Sequence, residues 1–324
     1  MRFGMEMGKA DFPEIQLLSS PAWQDYQLLD SGDGEKLERF GPYTFVRPEV
    51  QALWSRSLPR EKWESAHAVF QPTREESGGH WVFRRKLPPG WEMKYGPLRF
   101  TARTTPGRHL GVFPECAANW DWMTGRICSY HGEAGGVEND SPATPPEGGA
   151  DRQVRVLNLF GYTGIASLAA ASAGAKVTHV DASKKSVSWA RENQSLSGLS
   201  DRPVRWIIDD ALKFVEREAR RGAEYEGILL DPPKFGRGPK GEVWEAYHSL
   251  PALLSACRKI LGKSPLFVIL TVYAVKLPAV NCYYALEEMV RGLGGELECG
   301  ELVTRDASAG HVISQAVFAR WKKK

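Results

Sequence analysis

Cysteine is scarce in these 324 residues and forms no pattern: Cys116, Cys128, Cys257, Cys282 and Cys299 make no C-x-x-C pair and no Cys/His cluster of metal-binding spacing. An odd number spread over so long a chain argues against a disulfide framework, so a reducing, cytoplasmic setting without a bound metal is expected. Long apolar runs are missing too. No stretch reaches membrane-spanning length, and Met1 to Lys9 is polar and acid-bearing, unlike a secretion signal. Charge of one sign is also lacking: the net value is +3, so any contact with a nucleic acid has to come from a local patch. There is no internal repeat and no full G-x-G-x-x-G fingerprint. With 42% hydrophobic and 25% charged residues, the chain reads as an ordinary globular protein with a sizeable core. Its length allows two domains.

What is present begins at Val154-Arg155-Val156-Leu157-Asn158-Leu159, an apolar strand that runs into Phe160-Gly161-Tyr162-Thr163-Gly164 and then into the small apolar stretch Ala166 to Ala173. A strand, a glycine-bearing turn and a closely packed helix make a crevice for a nucleotide-like ligand. A second apolar strand, Lys176 to Asp181, ends in an acid, where a ribose diol finds an acceptor. An NAD site uses much of the same apparatus, and a tight turn without any nucleotide uses some of it. The short Gly-Tyr-Thr-Gly turn suits S-adenosylmethionine, which has no phosphate, better than it suits a pyrophosphate.

Tyr225 to Asp231 is a further apolar strand, closed by Asp231-Pro232-Pro233-Lys234-Phe235. Proline cannot continue a central strand, so the two rings stiffen its exit at the carboxyl edge of a sheet, where open α/β folds place their ligands. A bare Asp-Pro-Pro is also compatible with an ordinary turn. Beyond it, Arg237 and Lys240 lie on a Gly-rich loop with Trp244 and Tyr247 following, a combination that suits phosphates and a stacked base and equally a solvated surface loop. Ser183 as a helix cap, a strand at Val204 to Ile208, a helix from Leu212, and a closing pair at Glu296–Val303 and Val312–Trp321 complete an α/β, mostly parallel, doubly wound sheet.

From about Thr105 to the end the chain resembles the large-subunit ribosomal RNA methyltransferase I-like family of class I, Rossmann-like, S-adenosyl-L-methionine-dependent enzymes. The motifs that carry the resemblance are Asn158 to Gly164, Val180-Asp181-Ala182-Ser183, Asp209-Asp210-Ala211 and Asp231 to Phe235. The resemblance implies that Asn158, Phe160, Gly161, Tyr162, Thr163 and Gly164 line the methionine end of the cofactor. It implies that Asp181, with Ala182 and Ser183, takes the ribose, and that Asp210, with Ala211, meets the adenine. Asp231, Pro232, Pro233, Lys234 and Phe235 then border the target, Asp231 also touching the cofactor. By its position beside the expected methyl-transfer point, Lys234 is read as a cation for phosphate, with a neutral amine that takes a proton as the alternative. Gly111 to Trp120 resembles the segment before the cofactor domain, with Cys116 where glutamine is usual and Trp120 where arginine is. The cytosine carbon-5 members end the strand at Leu266–Tyr273 in a serine-cysteine-serine run. This chain has Thr271-Val272-Tyr273 there. Carbon-5 chemistry needs a thiolate to add to the ring, so a base nitrogen of ribosomal RNA, which owns a lone pair, is the expected target.

The organisation changes near Pro106. Short β-rich runs between Gly/Pro turns precede it, so residues 1–105 are read as a small substrate-recognition domain and 106–324 as the catalytic domain, with 132–152 an exposed insertion. The tryptophans and arginines of the first part, among them Trp54, Trp63, Trp81, Arg84, Arg85 and Trp91, either fill a small β core or stack on RNA. Other readings are a silent RNA-binding relative, a methyltransferase for a protein or small molecule, and, last, an NAD-dependent oxidoreductase. The sequence sets no oligomeric state.

Overall fold

The computed structural model describes residues 12–20, 23–73, 78–133, 153–273 and 277–324. Met1 to Lys9 lies outside these residues, as does the expected insertion from residue 134 on. In chain order the elements are β1 (Ile15–Ser19), β2 (Tyr26–Gly32), β3 (Glu35–Phe40), β4 (Tyr43–Pro48), α1 (Arg60–Glu64), β5 (Ala68–Pro72), β6 (Gly79–Phe83), β7 (Trp91–Tyr95) and β8 (Leu98–Ala102). A single 3-10 turn, Pro114–Cys116, leads into α2 (Ala117–Glu133), β9 (Arg155–Leu159), α3 (Ile165–Ser172), β10 (Lys176–Asp181), α4 (Lys184–Leu196), β11 (Val204–Ile208), α5 (Ala211–Arg220) and β12 (Gly227–Leu230). The chain closes with β13 (Phe235–Arg237), β14 (Val243–Glu245), α6 (Ala246–Ile260), β15 (Phe267–Val272), α7 (Ala279–Val290), β16 (Glu296–Arg305) and β17 (Val312–Lys322).

The main sheet has the order β1-β16-β17-β15-β12-β9-β10-β11. From β15 to β11 every neighbour is parallel, and β17 is antiparallel to both β15 and β16. Buried on both faces, its central strands read as continuous apolar runs whose alternate residues face opposite cores. Val156, Leu229 and Ile269 pack with α2 and α3, while Leu157, Leu159, Ile228, Leu230, Val268 and Leu270 pack with α5, α6 and α7. Each such side chain contributes about 1.5–3 kcal/mol by leaving water. The chain winds from β9 outward to β11 and then returns to place β12 on the other side of β9. Leu159 and Leu230 are paired in register, and the crevice beyond their carboxyl ends is the switch point where such sheets hold ligands.

The N-terminal part is β-rich, with a five-stranded sheet β2-β3-β4-β5-β6 and the hairpin β7-β8. β1, although first in the chain, pairs with β16 at the edge of the main sheet. Trp63 and Trp91 are core residues here, and Trp81 is half-buried against Phe45 and Phe70, so these rings pack the sheet. Two of the attachments that tie this part to the rest are hydrogen-bond clusters. The hairpin is bound to α4 by Trp189 Nε1 donating to Thr101 O and Thr101 N donating to Asn193 Oδ1. The second is a buried carboxylate pair. Asp30 accepts from the backbone N–H groups of Ser57 and Leu58, from Trp63 Nε1 and from Ser308 Oγ, while Asp306 accepts from Ser31 Oγ, Ser308 Oγ and two backbone N–H groups of the turn between β16 and β17.

Candidate active site

The turn after β9 is built around crowding. Gly161 lies against the fully buried ring of His179 from β10, where a Cβ would stand 2.4 Å from two ring atoms. Phe160 and Tyr162 on either side take left-handed backbone angles, φ +59° and +50°, which non-glycine residues seldom adopt. Such positions cost about 1–3 kcal/mol and persist only where the surroundings fix them. Here the fixing contacts are Gly161 N to Val180 O at 3.1 Å and Tyr162 N to Asp181 Oδ2 at 2.8 Å. Thr163 is clamped between Gly111 O, which its hydroxyl reaches at 2.6 Å, and Asn193 Nδ2, which donates to its carbonyl. Gly164, φ +82°, begins α3 where a Cβ would meet Ala190 at 2.7 Å. Beneath the turn, Asn158 Nδ2 donates to Ser167 Oγ at 2.9 Å and that hydroxyl meets His179 Nδ1 at 3.0 Å. Burial lowers His179 to about 3, so its ring is neutral.

The acids after the next two strands sit side by side at the same sheet edge. Asp181 takes Tyr162 N on one oxygen and Ser183 N on the other, and burial raises its carboxyl against the lowering by those two donors. Asp209 N donates to Asp181 O at 3.2 Å, which brings Asp210 alongside. Ser183 caps α4 and Asp210 caps α5 through Lys213 N at 2.9 Å, with Ala211 as the first helical residue.

A pocket opens at the switch point. Its walls include Asn158, Phe160, Gly161 and Tyr162 from the first turn and Asp231 from the end of β12, with Ile165, Leu230, Ile269 and Thr271 completing the apolar part. Asp181, Ala182, Ser183, Asp210 and Ala211 lie on the neighbouring strand ends outside this wall, as do Thr163 and Gly164. Asp231 Oδ1 is shielded from solvent and has no hydrogen-bond partner among the described residues. Burial, reinforced by the charge of Glu115, pushes this carboxyl well above the usual carboxylate range.

The Gly-rich loop expected after the prolines is a two-stranded hairpin, because Phe235 pairs with Glu245 and Arg237 with Val243 across Gly236 and Trp244. Trp244 is the brace of that hairpin. Its Nε1 donates to Pro233 O at 2.7 Å and its ring packs 4.8 Å from Phe160, leaving it 4% exposed. Phe235 at 59% and Tyr247 at 52% are open to solvent, with Arg237 and Lys240 exposed on the same hairpin and the Lys234 ammonium 5.2 Å over the Phe235 ring.

The structure adds residues that motif reading did not single out as site residues. Phe113 and Cys116, at the two ends of the turn before α2, and Asn119 and Trp120 on α2 also line the pocket. Cys116 Sγ lies 2.6 Å from Tyr273 Oη, at the strand end where the carbon-5 enzymes resembled above carry their cysteine. A thiol is therefore beside the pocket, supplied by a different element. Burial first, then Asp231 and Glu115, raise this thiol well above its ordinary value, which keeps it protonated and weakly nucleophilic. Glu115 itself is buried and raised by that burial, against the lowering effect of Lys36 and Arg47. Among the described residues no group of three or more His, Cys, Asp and Glu could hold a metal, and no helix is long and apolar enough to cross a membrane.

Comparison with known proteins places this geometry. The family described as Conserved hypothetical protein 95 matches residues 148–243, which contain both turns. A curated relative, the Ribosomal RNA large subunit methyltransferase K/L of Shewanella frigidimarina, is 39% identical over 109 residues, 33% of this chain and 15% of that protein. Its counterpart in Pseudoalteromonas translucida is 38% identical over 112 residues, 34% of this chain and 16% of that protein. The chain thus matches about a sixth of the length of these relatives. Among solved structures, a SAM-dependent methyltransferase from Agrobacterium tumefaciens superposes with a TM-score of 0.85 at 42% identity, covering 98% of both chains. A putative SAM-dependent methyltransferase from Streptococcus mutans shares the fold, with a TM-score of 0.66 at 16% identity over 92% of this chain and 75% of its own.

Proposed function

The chain belongs to the S-adenosylmethionine-dependent methyltransferases, and from that premise we propose that it methylates a base nitrogen in RNA, with ribosomal RNA as the substrate class. The observation that carries the reading is the unpartnered Oδ1 of Asp231 in the wall of the switch-point pocket. It is an acceptor aimed at whatever N–H enters. The names of the large-subunit relatives support RNA, and since the match covers about a sixth of their length, the substrate is carried over as a proposal.

The residues fit the cofactor. A narrow glycine turn, an open acceptor at Asp231 and two acids on adjacent strand ends suit a ligand with an amino-acid end and a ribose diol. When bound, S-adenosylmethionine supplies an electrophilic methyl group on a sulfonium. Asn158, oriented by Ser167, and the Phe160–Thr163 backbone hold the methionine end. Asp181 accepts from the ribose hydroxyls, and Asp210 meets the adenine amino group. Asp231 accepts the hydrogen bond of the target N–H and takes its proton as the nitrogen lone pair forms the new bond, a task suited to a carboxyl that burial makes more basic than usual. Pro232 and Pro233 fix that carboxyl in line, which matters because reaction rates are steep in attack geometry. Phe235 stacks the base, with Tyr247 beside it, while Lys234, Arg237 and Lys240 take phosphates. The five cysteines, all free, go with a reducing cytoplasmic setting.

Incubation with S-adenosylmethionine and ribosomal RNA from cells lacking the protein, followed by nucleoside analysis, tests the reading. A nitrogen-methylated base is expected. Detection of 5-methylcytosine alone would assign the chemistry to carbon and draw in Cys116. Full activity in an Asp231→Ala variant would remove the role given to Asp231.

A further inference from the structure

A buried chain of polar groups crosses the main sheet and ends in the pocket. In register, Glu298 on β16 stands opposite Arg320 on β17, Arg320 opposite Ile269 on β15, Ile269 opposite Leu229 on β12, and Leu229 opposite Asn158 on β9. One rung of the sheet thus runs from an ion pair to the pocket. Thr271 and Asp231 come two residues after Ile269 and Leu229, so they share the face of that rung, and both line the pocket. Arg320 is 6% exposed, with its Nε on the Glu298 carboxylate and its guanidinium 4.7 Å over the Trp122 ring and 5.3 Å over Phe318. Its Nη1 donates to Asn119 Oδ1 at 3.3 Å, and Asn119 Nδ2 donates to Thr271 Oγ1 at 3.2 Å. Asn119 and Thr271 are themselves buried, and Asn119 also lines the pocket.

The arginine sets the direction of every bond in this chain. A guanidinium has donors and no acceptor, so the Asn119 amide turns its oxygen to Arg320 and its nitrogen to Thr271. The Thr271 hydroxyl accepts from Asn119 and therefore points its own hydrogen away from it, toward the pocket that Thr271 lines. Asn119 Nδ2 carries a second hydrogen besides the one given to Thr271. We propose that the Thr271 hydroxyl and the Asn119 amide, oriented by Arg320, seat the carboxylate at the methionine end of the cofactor. This rests on the pocket being the cofactor site. The fit is one of charge as well as of hydrogen bonds. Glu298 holds Nε while Nη1 faces Asn119, so the ion pair turns its positive end toward the pocket, and a carboxylate is a group that accepts and does not donate. Asp231, at the neighbouring strand end, presents the opposite polarity with its open Oδ1. The wall thereby sorts its ligands, a carboxylate to the end of β15 and an N–H to the end of β12. Arg320 acts through Asn119 and is a positioning residue.

The test is equilibrium titration of the full chain with S-adenosylmethionine and with its decarboxylated form, which keeps the adenosine, the sulfonium and the amine and so reports the carboxylate alone. Wild-type protein should prefer S-adenosylmethionine. Thr271→Val, which keeps the shape and loses the hydroxyl, should lower affinity for S-adenosylmethionine about tenfold, the loss of one hydrogen bond to a charged group, and leave affinity for the decarboxylated ligand as it was. Thr271→Ser, which keeps the hydroxyl, should retain the wild-type preference. Arg320→Met, which keeps an apolar stem against Trp122 and frees the Asn119 amide to turn over, should lower the preference in the same direction. An unchanged preference in Thr271→Val overturns the inference and leaves the cofactor site standing; a raised KM for RNA in that variant would then give the hydroxyl to the acceptor. Equal weakening of both ligands by Thr271→Val also overturns it, making the hydroxyl a packing group. A preference lost in Thr271→Val and kept in Arg320→Met overturns the part given to Arg320. Failure of the wild-type protein to bind either ligand overturns the cofactor reading itself.

Discussion

Gly161→Ala is the substitution whose outcome the geometry fixes most closely. The added Cβ falls 2.4 Å from His179 Cε1 and Nδ1 and 3.1 Å from Asn158 Nδ2. The ring cannot withdraw easily, because His179 is fully buried, meets Ser167 Oγ at 3.0 Å and lies against Trp206 with ring centres 4.7 Å apart. The turn must move instead. Overpacking of this kind costs about 1–3 kcal/mol. The same movement takes Tyr162 N off Asp181, so affinity for S-adenosylmethionine should fall about tenfold, equal to about 1.4 kcal/mol. Denaturant unfolding gives the first number and ligand titration the second. The cause is separable by a double-mutant cycle: His179→Ala is destabilising alone through the cavity it leaves, yet in its presence the alanine methyl has room. The two changes should couple favourably by at least about 1 kcal/mol, as contacting residues do. Wild-type stability and affinity in Gly161→Ala, or strict additivity in the double variant, would refute the argument.

Three further outcomes follow from other parts of the molecule. Burial raises the Asp30 and Asp306 carboxyls, but hydrogen bonds outweigh it, led by Ser308 for Asp30 and Ser31 for Asp306, and hold both below the usual range. A depressed pKa stabilises the fold above the unfolded value, about 3.9, and that stability is lost as pH falls through the folded value, so Asp30→Asn should flatten the acid limb of a melting-temperature series below about pH 4. An unaltered acid limb would show that these carboxylates do not carry it. On the exposed hairpin, Phe235→Ala should leave stability within about 0.5 kcal/mol while raising KM for the RNA acceptor, and Arg237→Gln should reduce the salt dependence of RNA binding by about one counterion. Equal KM and salt slope in both variants would move the RNA surface elsewhere.

Much of the framework was legible from local pattern. Val154 to Leu159 and Tyr225 to Leu230 read as buried strands because a parallel sheet demands unbroken apolar runs. Glycine at 161 and 164 and the proline pair at 232–233 encode backbone behaviour that depends on few neighbours. The loop after Pro233 read as irregular because its hairpin strands, β13 and β14, are three residues each, too short for a period to show. Trp244 read as an open stacking ring because its partners, Phe160 and Pro233, are chosen by folding and not by spacing.

By itself, then, the sequence determined the strand-turn-helix at β9, the acids at the ends of β10 and β12, and the alternation of strands and helices in a doubly wound sheet, all of which follow from periodicity and from the special backbones of glycine and proline. The tertiary structure alone decided that Cys116 meets Tyr273 across 157 positions, that Asp306 meets Ser31 across 275, that His179 lies under Gly161, and that Glu115 presses its charge on Asp231. The physical reason is that ionisation and crowding depend on which groups are desolvated together, and desolvation is a property of the packed chain and not of its local pattern.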